Sequence, residues 1–299
     1  MKGLPYMGSK RKIAKPLIDY MLNSNPKVKH FYDLFGGGGA MSFEALKRKR
    51  FKSVHYNELN TGIVELLKKI RTDGITEEFY EWVSREDFFK YKDSDCWRGG
   101  LIKTCWSFGS KQDTYIFGSD IEDGKRIVHN IIVNKSKKHI EQFYRLTGIK
   151  IDFKYLKNDD IHKRRVSVSS VIKKQIGRFD MQQLERLQQL ERLEQLKRLE
   201  IQNNSYEDVK IDTPPEETII YCDPPYQGTR KYQKDINHDK FLEWVKSSPY
   251  KIYISSYDFD LPCVFELSHN SSLSATNNSK KVVEKLFCNQ EELTKGSLF

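Results

Sequence analysis

The segment HFYDLFGGGGAMSFEAL, residues 30–46, constrains the fold more than any other part of the chain. A short apolar run meets four consecutive glycines, and a stretch with helical periodicity follows. The order is therefore strand, tight turn, helix. Glycines at such a turn let the backbone pass close to a ligand at the carboxyl edge of a sheet. Upstream, KIAKPLIDYML (12–22) reads as a helix, and AMSFEALKRKR (40–50) continues the helix after the glycines, with basic residues near its end where the dipole favours them. SVHYNEL (53–59) reads as a second strand and TGIVELLKKI (61–70) as the next helix. Strand and helix in alternation imply a parallel sheet covered on both faces, an α/β fold. ETIIYCD (217–223) and KIYISSY (251–257) read as further strands with the helix HDKFLEWVKS (238–247) between them. CVFELS (263–268) and KKVVEKLFC (280–288) flank SLSATNNS as a hairpin at the sheet edge.

The middle of the chain departs from this alternation. Residues 93–200 are expected to form a second, smaller domain inserted into a first domain made of 1–92 and 201–299. The net charge of +10 is concentrated there: residues 135–178 hold 13 Lys and Arg against 4 Asp and Glu. Phe143, Tyr144, Phe153 and Tyr155 are interleaved with those bases. A local positive field with apolar contacts inside it suits a phosphate backbone, although a solvated lysine surface has the same composition. Within the same region, MQQLERLQQLERLEQLKRLEIQ (181–202) carries leucine at 184, 187, 190, 193, 196 and 199. Propensity favours a helix. A three-residue spacing slips by about 60° per step on an α-helix, so it makes no coiled-coil seam. The expectation is a scaffold helix or spacer, with a three-residue-per-turn arrangement as the alternative.

Two carboxylates flank the glycine loop. Glu58 lies at the end of the second strand, 22 residues after Gly36, the distance at which nucleotide-binding folds place an acid on ribose hydroxyls. No Gly-Lys-Ser/Thr follows the glycines, so a P-loop fits poorly. Asp33 at the start of the loop is a poor neighbour for pyrophosphate and a good one for an ammonium group. S-adenosylmethionine carries that ammonium, two ribose hydroxyls and no phosphate.

IIYCDPPYQG (219–228) supplies the complementary chemistry. An exocyclic amine of a base is a weak nucleophile because its lone pair is delocalised into the ring. A site that accepts both N–H bonds makes the nitrogen more pyramidal and turns the lone pair outward. Asp223 offers one acceptor through its carboxylate and Pro224 another through its carbonyl. Pro225 holds Pro224 in extended geometry, which aims that carbonyl in advance. Tyr226 offers a face on which a base can stack. A base inside a duplex has to be turned out of the stack to reach such a site.

With these residues in place, the chain resembles the Dam-type DNA adenine-N6 methyltransferases of the alpha class. LPYMGSKRKI is similar to their first cofactor motif, DLFGGGGAMSFEAL to the methionine-binding glycine motif, HYNELN to the ribose motif, and DPPY is the catalytic motif. The resemblance covers roughly 4–70 and 200–290. It implies a Rossmann-like methyltransferase sheet with a mostly helical inserted target-recognition domain. It also implies Tyr6, Lys10, Asp33, Phe35, Gly36, Gly38, Glu58 and Asp223 around S-adenosyl-L-methionine, and Asp223, Pro224, Pro225 and Tyr226 at the target base. IKTCWSFGSKQDTYIFG (102–118) resembles the family's loop beside that base, which brings in Ser107 and Phe108. In the insertion, Lys137, Lys138, Lys163, Arg164 and Arg165 are the candidate contacts to double-stranded DNA.

Other classes are constrained by what the chain contains. Five scattered cysteines without CxxC spacing or His partners point to a reducing, cytoplasmic setting and to no zinc. No apolar run approaches the roughly 20 residues of a membrane span, MKGLPYMGSKRK does not lead into a signal-peptide core, and mean hydropathy is −0.68. Cys222 closes an apolar strand and reads as core. Four other activities share part of the pattern: cytosine-N4 methylation, RNA adenine methylation, a nicotinamide dehydrogenase that leaves DPPY without purpose, and a catalytically silent DNA-binding protein on the same scaffold.

Overall fold

A computed structural model describes the chain except residues 1–2, 5–9, 110–111, 192, 226–235, 272–279 and 291–299. In chain order the elements are α1 (Ala14–Ser24), β1 (His30–Asp33), α2 (Ala40–Ala45), β2 (Ser53–Asn57), α3 (Thr61–Asp73), α4 (Arg85–Tyr91), α5 (Trp97–Cys105), α6 (Glu122–Asn134), α7 (Lys137–Thr147), α8 (Ile161–Ile176), α9 (Gln182–Glu191), β3 (Leu199–Gln202), β4 (Thr218–Cys222), α10 (His238–Ser247), β5 (Lys251–Ser256), β6 (Cys263–Ser271) and β7 (Lys280–Cys288).

The chain divides into two compact units. One comprises 1–3, 9–60 and 195–299, the other 4–8 and 61–194. The first holds a seven-stranded sheet in the order β3-β2-β1-β4-β5-β7-β6. Pairing is parallel from β3 through β5 and antiparallel at β7 and β6. This is the expected Rossmann-like α/β sheet, closed by the expected edge hairpin. Adjacent β1 and β4 register His30 with Thr218 and Asp33 with Tyr221, although the whole second unit lies between them in sequence.

The central strands are buried on both faces, β4 along its full length, which is why they read as continuous β-branched and aromatic runs rather than as alternations. One face carries Tyr32, Ile220, Cys222, Ile252, Ile254 and Phe287 and packs on Phe241 and Val245 of α10. The other face meets α1. The Asn25 amide, just past its end, donates to the Tyr253 hydroxyl at 2.7 Å, and Tyr20 stacks on Phe265. Helix α2 is shorter than the expected 40–50. Lys47 and Arg48 amides reach back only three residues, to Glu44 and Ala45, which tightens the last turn and ends the helix.

The leucine repeat does not form the single helix expected of it. It runs through α9, a three-residue-per-turn helix at Glu194–Arg198, and then strand β3, which pairs with β2. All six leucines are buried. On α9 the three leucines span an arc of about 120°, still one face. The backbone then changes period before the drift turns the next leucine to solvent.

The second unit is helical in its described residues apart from one isolated bridge, Ser107 to Tyr115. It takes in 61–92 as well as 93–194. Helix α3 belongs there because it crosses α5 closely: a Cβ at Gly100 would overlap the Gly62 carbonyl. Gly100→Ala is therefore expected to lower unfolding free energy by about 1–3 kcal/mol. Gly124→Ala in α6, where the added methyl meets open space, should raise it by up to about 1 kcal/mol. Urea denaturation of both variants checks the pair of signs.

Candidate active site

In the first unit the strand order reverses between β1 and β4, and open α/β sheets bind ligands outside the carboxyl ends of the strands at such a point. Asp33 is the last residue of β1, and Asp223 follows β4 directly. Alternation along the strands puts Asp33, Tyr221, Asp223 and Ser255 on the face that also carries α1.

The turn between β1 and α2 is fixed from the β2 side. The Gly36 amide donates to the Asn57 carbonyl at 2.8 Å, and the Tyr56 hydroxyl donates to the Gly37 carbonyl at 2.7 Å. A Cβ at Gly36 would run into the Tyr56 ring, so the close approach requires glycine. Gly39 begins α2 in the left-handed region at φ 72°. Buried Asn57 locks the edge: its amide donates to the Leu34 and Asn204 carbonyls, each at 3.0 Å, and its oxygen accepts from the Asn204 amide at 2.9 Å.

Four carboxylates gather at this edge, each handled differently. Asp33 Oδ2 accepts from the Ser42 hydroxyl at 2.7 Å and the Ser42 amide at 3.2 Å, while Oδ1 is buried and receives no hydrogen bond among the described residues. Burial, reinforced by the negative charges of Asp223 and Glu58 and opposed by the bonds from Ser42, pushes the Asp33 carboxyl up to about 7. Glu58 accepts from the Gly37 amide at 2.7 Å and the Asn60 amide at 2.9 Å, and burial raises it despite those bonds. Asp223 Oδ1 lies 2.9 Å from Lys10 Nζ, which is itself 3.1 Å from Glu284 Oε1.

Lys10, Asp33, Gly36, Gly38, Glu58 and Asp223 thus come to the carboxyl edge of one sheet. Phe35 turns toward the core, stacking on Tyr206 at 5.7 Å and meeting the edge of Phe241. Pro224 is buried and Pro225 half-buried, while Tyr6 and Tyr226 lie outside the described residues. Cys222 is core, as its strand position implies, and burial drives its thiol well above the ordinary range.

In the second unit, Lys137, Lys138 and Lys163 are exposed, with Lys137 lying 4.9 Å over the Phe153 ring. Arg164 is turned inward instead. Its guanidinium donates to the carbonyls of Ile132, Val133, Asn158 and Asp159, closing the end of α6 and the approach to α8. That placement removes it from the DNA-facing set. Arg165 is half-buried and reaches Gln188. Ser107 is buried with its hydroxyl on the Lys103 carbonyl, whereas neighbouring Phe108 is 63 % exposed. Arg186 in α9 gathers the carbonyls of Thr104, Cys105, Ser107 and Gly109, and so fixes the loop that presents Phe108.

A family model described as D12 class N6 adenine-specific DNA methyltransferase matches residues 6–243. The chain belongs to that family. No curated protein matches it. The matched segment runs from residue 6 into α10 and takes in the glycine loop, Glu58, residues 61–194 of the helical unit and DPPY. Membership makes the chain's chemistry adenine methylation of DNA. No helix among the described residues is long and apolar enough to cross a membrane.

Sequence reasoning passed over Ser42, Asn57, Ser255, Glu284 and Arg186. Only Glu284 had a visible signal: it shares the inward register with Leu286 and Cys288, where a carboxylate is out of place. Asn57→Ala leaves the Leu34 and Asn204 carbonyls and the Asn204 amide short of a partner, and is expected to cost about 1–3 kcal/mol. Denaturant titration reads that loss.

Proposed function

We propose that the chain transfers a methyl group from S-adenosylmethionine to N6 of an adenine turned out of duplex DNA at specific sites. The observation that carries this reading is the pairing of a cation-seeking acid with an amine-accepting motif at one switch point: Asp33 ends β1 and Asp223 follows β4. Asp33 Oδ1, buried and without a hydrogen bond among the described residues, fits the α-ammonium of the cofactor. Glu58 suits its ribose hydroxyls, and the close-packed glycine turn suits its methionine moiety. When bound, the cofactor supplies an electrophilic sulfonium methyl.

The protein's part is to prepare the nucleophile. Asp223 accepts one N–H of the adenine amine and the Pro224 carbonyl accepts the other, so the nitrogen lone pair turns out of the ring plane. Pro225 restrains Pro224 to an extended conformation, and no reorganisation is then needed as charge develops. Tyr226 stacks against the extruded base. Phe108, exposed on a loop held by Arg186, is suited to an unstacked base or the gap it leaves. Lys137, Lys138, Lys163 and Arg165 meet the phosphate backbone.

Asp223→Ala is expected to abolish transfer of labelled methyl to unmethylated duplex DNA while cofactor binding, measured by calorimetry, stays within about threefold. Equal loss of both would overturn the role given to Asp223.

Asp33 adds a pH dependence. A carboxyl kept protonated by burial has to release that proton before it pairs with an ammonium. Cofactor affinity should therefore rise as pH climbs through about 7 and fall below it. Asp33→Asn should flatten the curve. A wild-type affinity that does not change between about pH 6 and pH 7.5 would show that the Asp33 carboxyl is already ionised there.

A further inference from the structure

Glu284 belongs to β7, beyond the segment that the family model covers. It is 3 % exposed. A carboxylate at an inward strand position is costly to bury unless it is paired and hydrogen-bonded, and an apolar residue there would be cheaper. Its Oε1 accepts from the buried Ser255 hydroxyl at 2.7 Å and lies 3.1 Å from Lys10 Nζ. The same ammonium lies 2.9 Å from Asp223 Oδ1. The Lys10 backbone is fixed as well, because its carbonyl accepts the Ile13 and Ala14 amides at the start of α1.

We infer that Glu284 is a positioning residue for methyl transfer: it fixes Lys10, and Lys10 fixes the carboxylate plane of Asp223. This rests on the reading that Asp223 accepts an N–H of the target amine.

A lysine ammonium is a point charge on a flexible four-carbon stem, and one acceptor leaves it free to swing. Two acceptors, one just past β4 and one in β7, triangulate it, and the Ser255 hydroxyl keeps the second from rotating. Asp223 follows β4 and leads into two prolines, so its own backbone sets only part of its orientation. Lys10 adds a restraint through Oδ1. Sharing one positive charge between two carboxylates also leaves Asp223 a better acceptor than a private ion pair would. The Tyr221 hydroxyl reports the same enclosure. Burial first, then the Asp223 and Glu284 charges, raise it far above its ordinary range, against the opposing effect of Lys10.

The test uses the full chain, tritiated S-adenosylmethionine and unmethylated genomic duplex DNA. Glu284→Gln is expected to lower kcat roughly 10- to 100-fold, as a misplaced reacting group does, with KM for cofactor and for DNA within about twofold. Glu284→Asp should restore part of the loss. Ser255→Ala should move kcat in the same direction by less, and stands in if Glu284→Gln melts early. In a Lys10→Met background, Glu284→Gln should cost less than about twofold further, because the residue it acts through is gone. Losses that multiply, or a Glu284→Gln enzyme with unchanged kcat, would overturn the inference while leaving the methyltransferase reading intact. A wild-type chain that transfers no methyl at all would overturn both.

Discussion

The parallel pairing of β1 with β4 is the contact on which the site depends. These strands are far apart in sequence, yet Asp33 and Tyr221 are neighbours across the ladder, and the Leu34 amide extends it by donating to the Tyr221 carbonyl at 3.0 Å. Each strand delivers one acid to the same edge. The glycine turn after β1 is held by β2 through Asn57 and Tyr56, and β2 is held in turn by β3, the last piece of the leucine repeat. A slip of one residue between β1 and β4 would reverse the face of every side chain on the slipped strand and send one acid into the α10 core.

Charge is divided to match. The chain is strongly basic, but the sheet edge is acidic: Asp33, Glu58, Asp223 and Glu284 share one buried ammonium and a few backbone amides. A buried cluster of acids disfavours phosphate and favours a cation, and burial strengthens both effects. The excess of positive charge between 135 and 178 favours the opposite kind of ligand. Arg164 shows that not all of this charge reaches the surface, since its four carbonyl acceptors make it part of the helical framework.

Much of this was legible in the sequence because it depends on local pattern. The β-branched runs and the helix 238–247 gave elements whose ends the structure shifts by at most a few residues, α10 agrees at both ends, and only the helix after the four glycines is cut markedly short. Asp33, Glu58 and Asp223 could be read because each sits at a strand end, where a carboxylate does not serve the core. The leucine repeat was read in part: α9 follows its helical propensity and Glu194–Arg198 the three-residue-per-turn alternative, whereas strand β3 at its end was not expected. Arg164 was misread because a basic run does not reveal which of its members faces inward. The start of the helical unit was missed because α3 looks like any other helix of an alternating fold, and only the close passage of Gly62 against Gly100 assigns it.

The long detour between β1 and β4 also sets an order of events for a chain emerging from a ribosome. Thr218, the partner of His30, is synthesised roughly 10–40 s later at ordinary elongation rates. Until then β1 has an open flank, and the two acids of the site are not yet on the same surface. The intervening helices, rich in local contacts, have ample time to fold by themselves, whereas completing the sheet means closing a very long loop. The acidic edge is therefore completed only after the whole helical unit and β4 have been made.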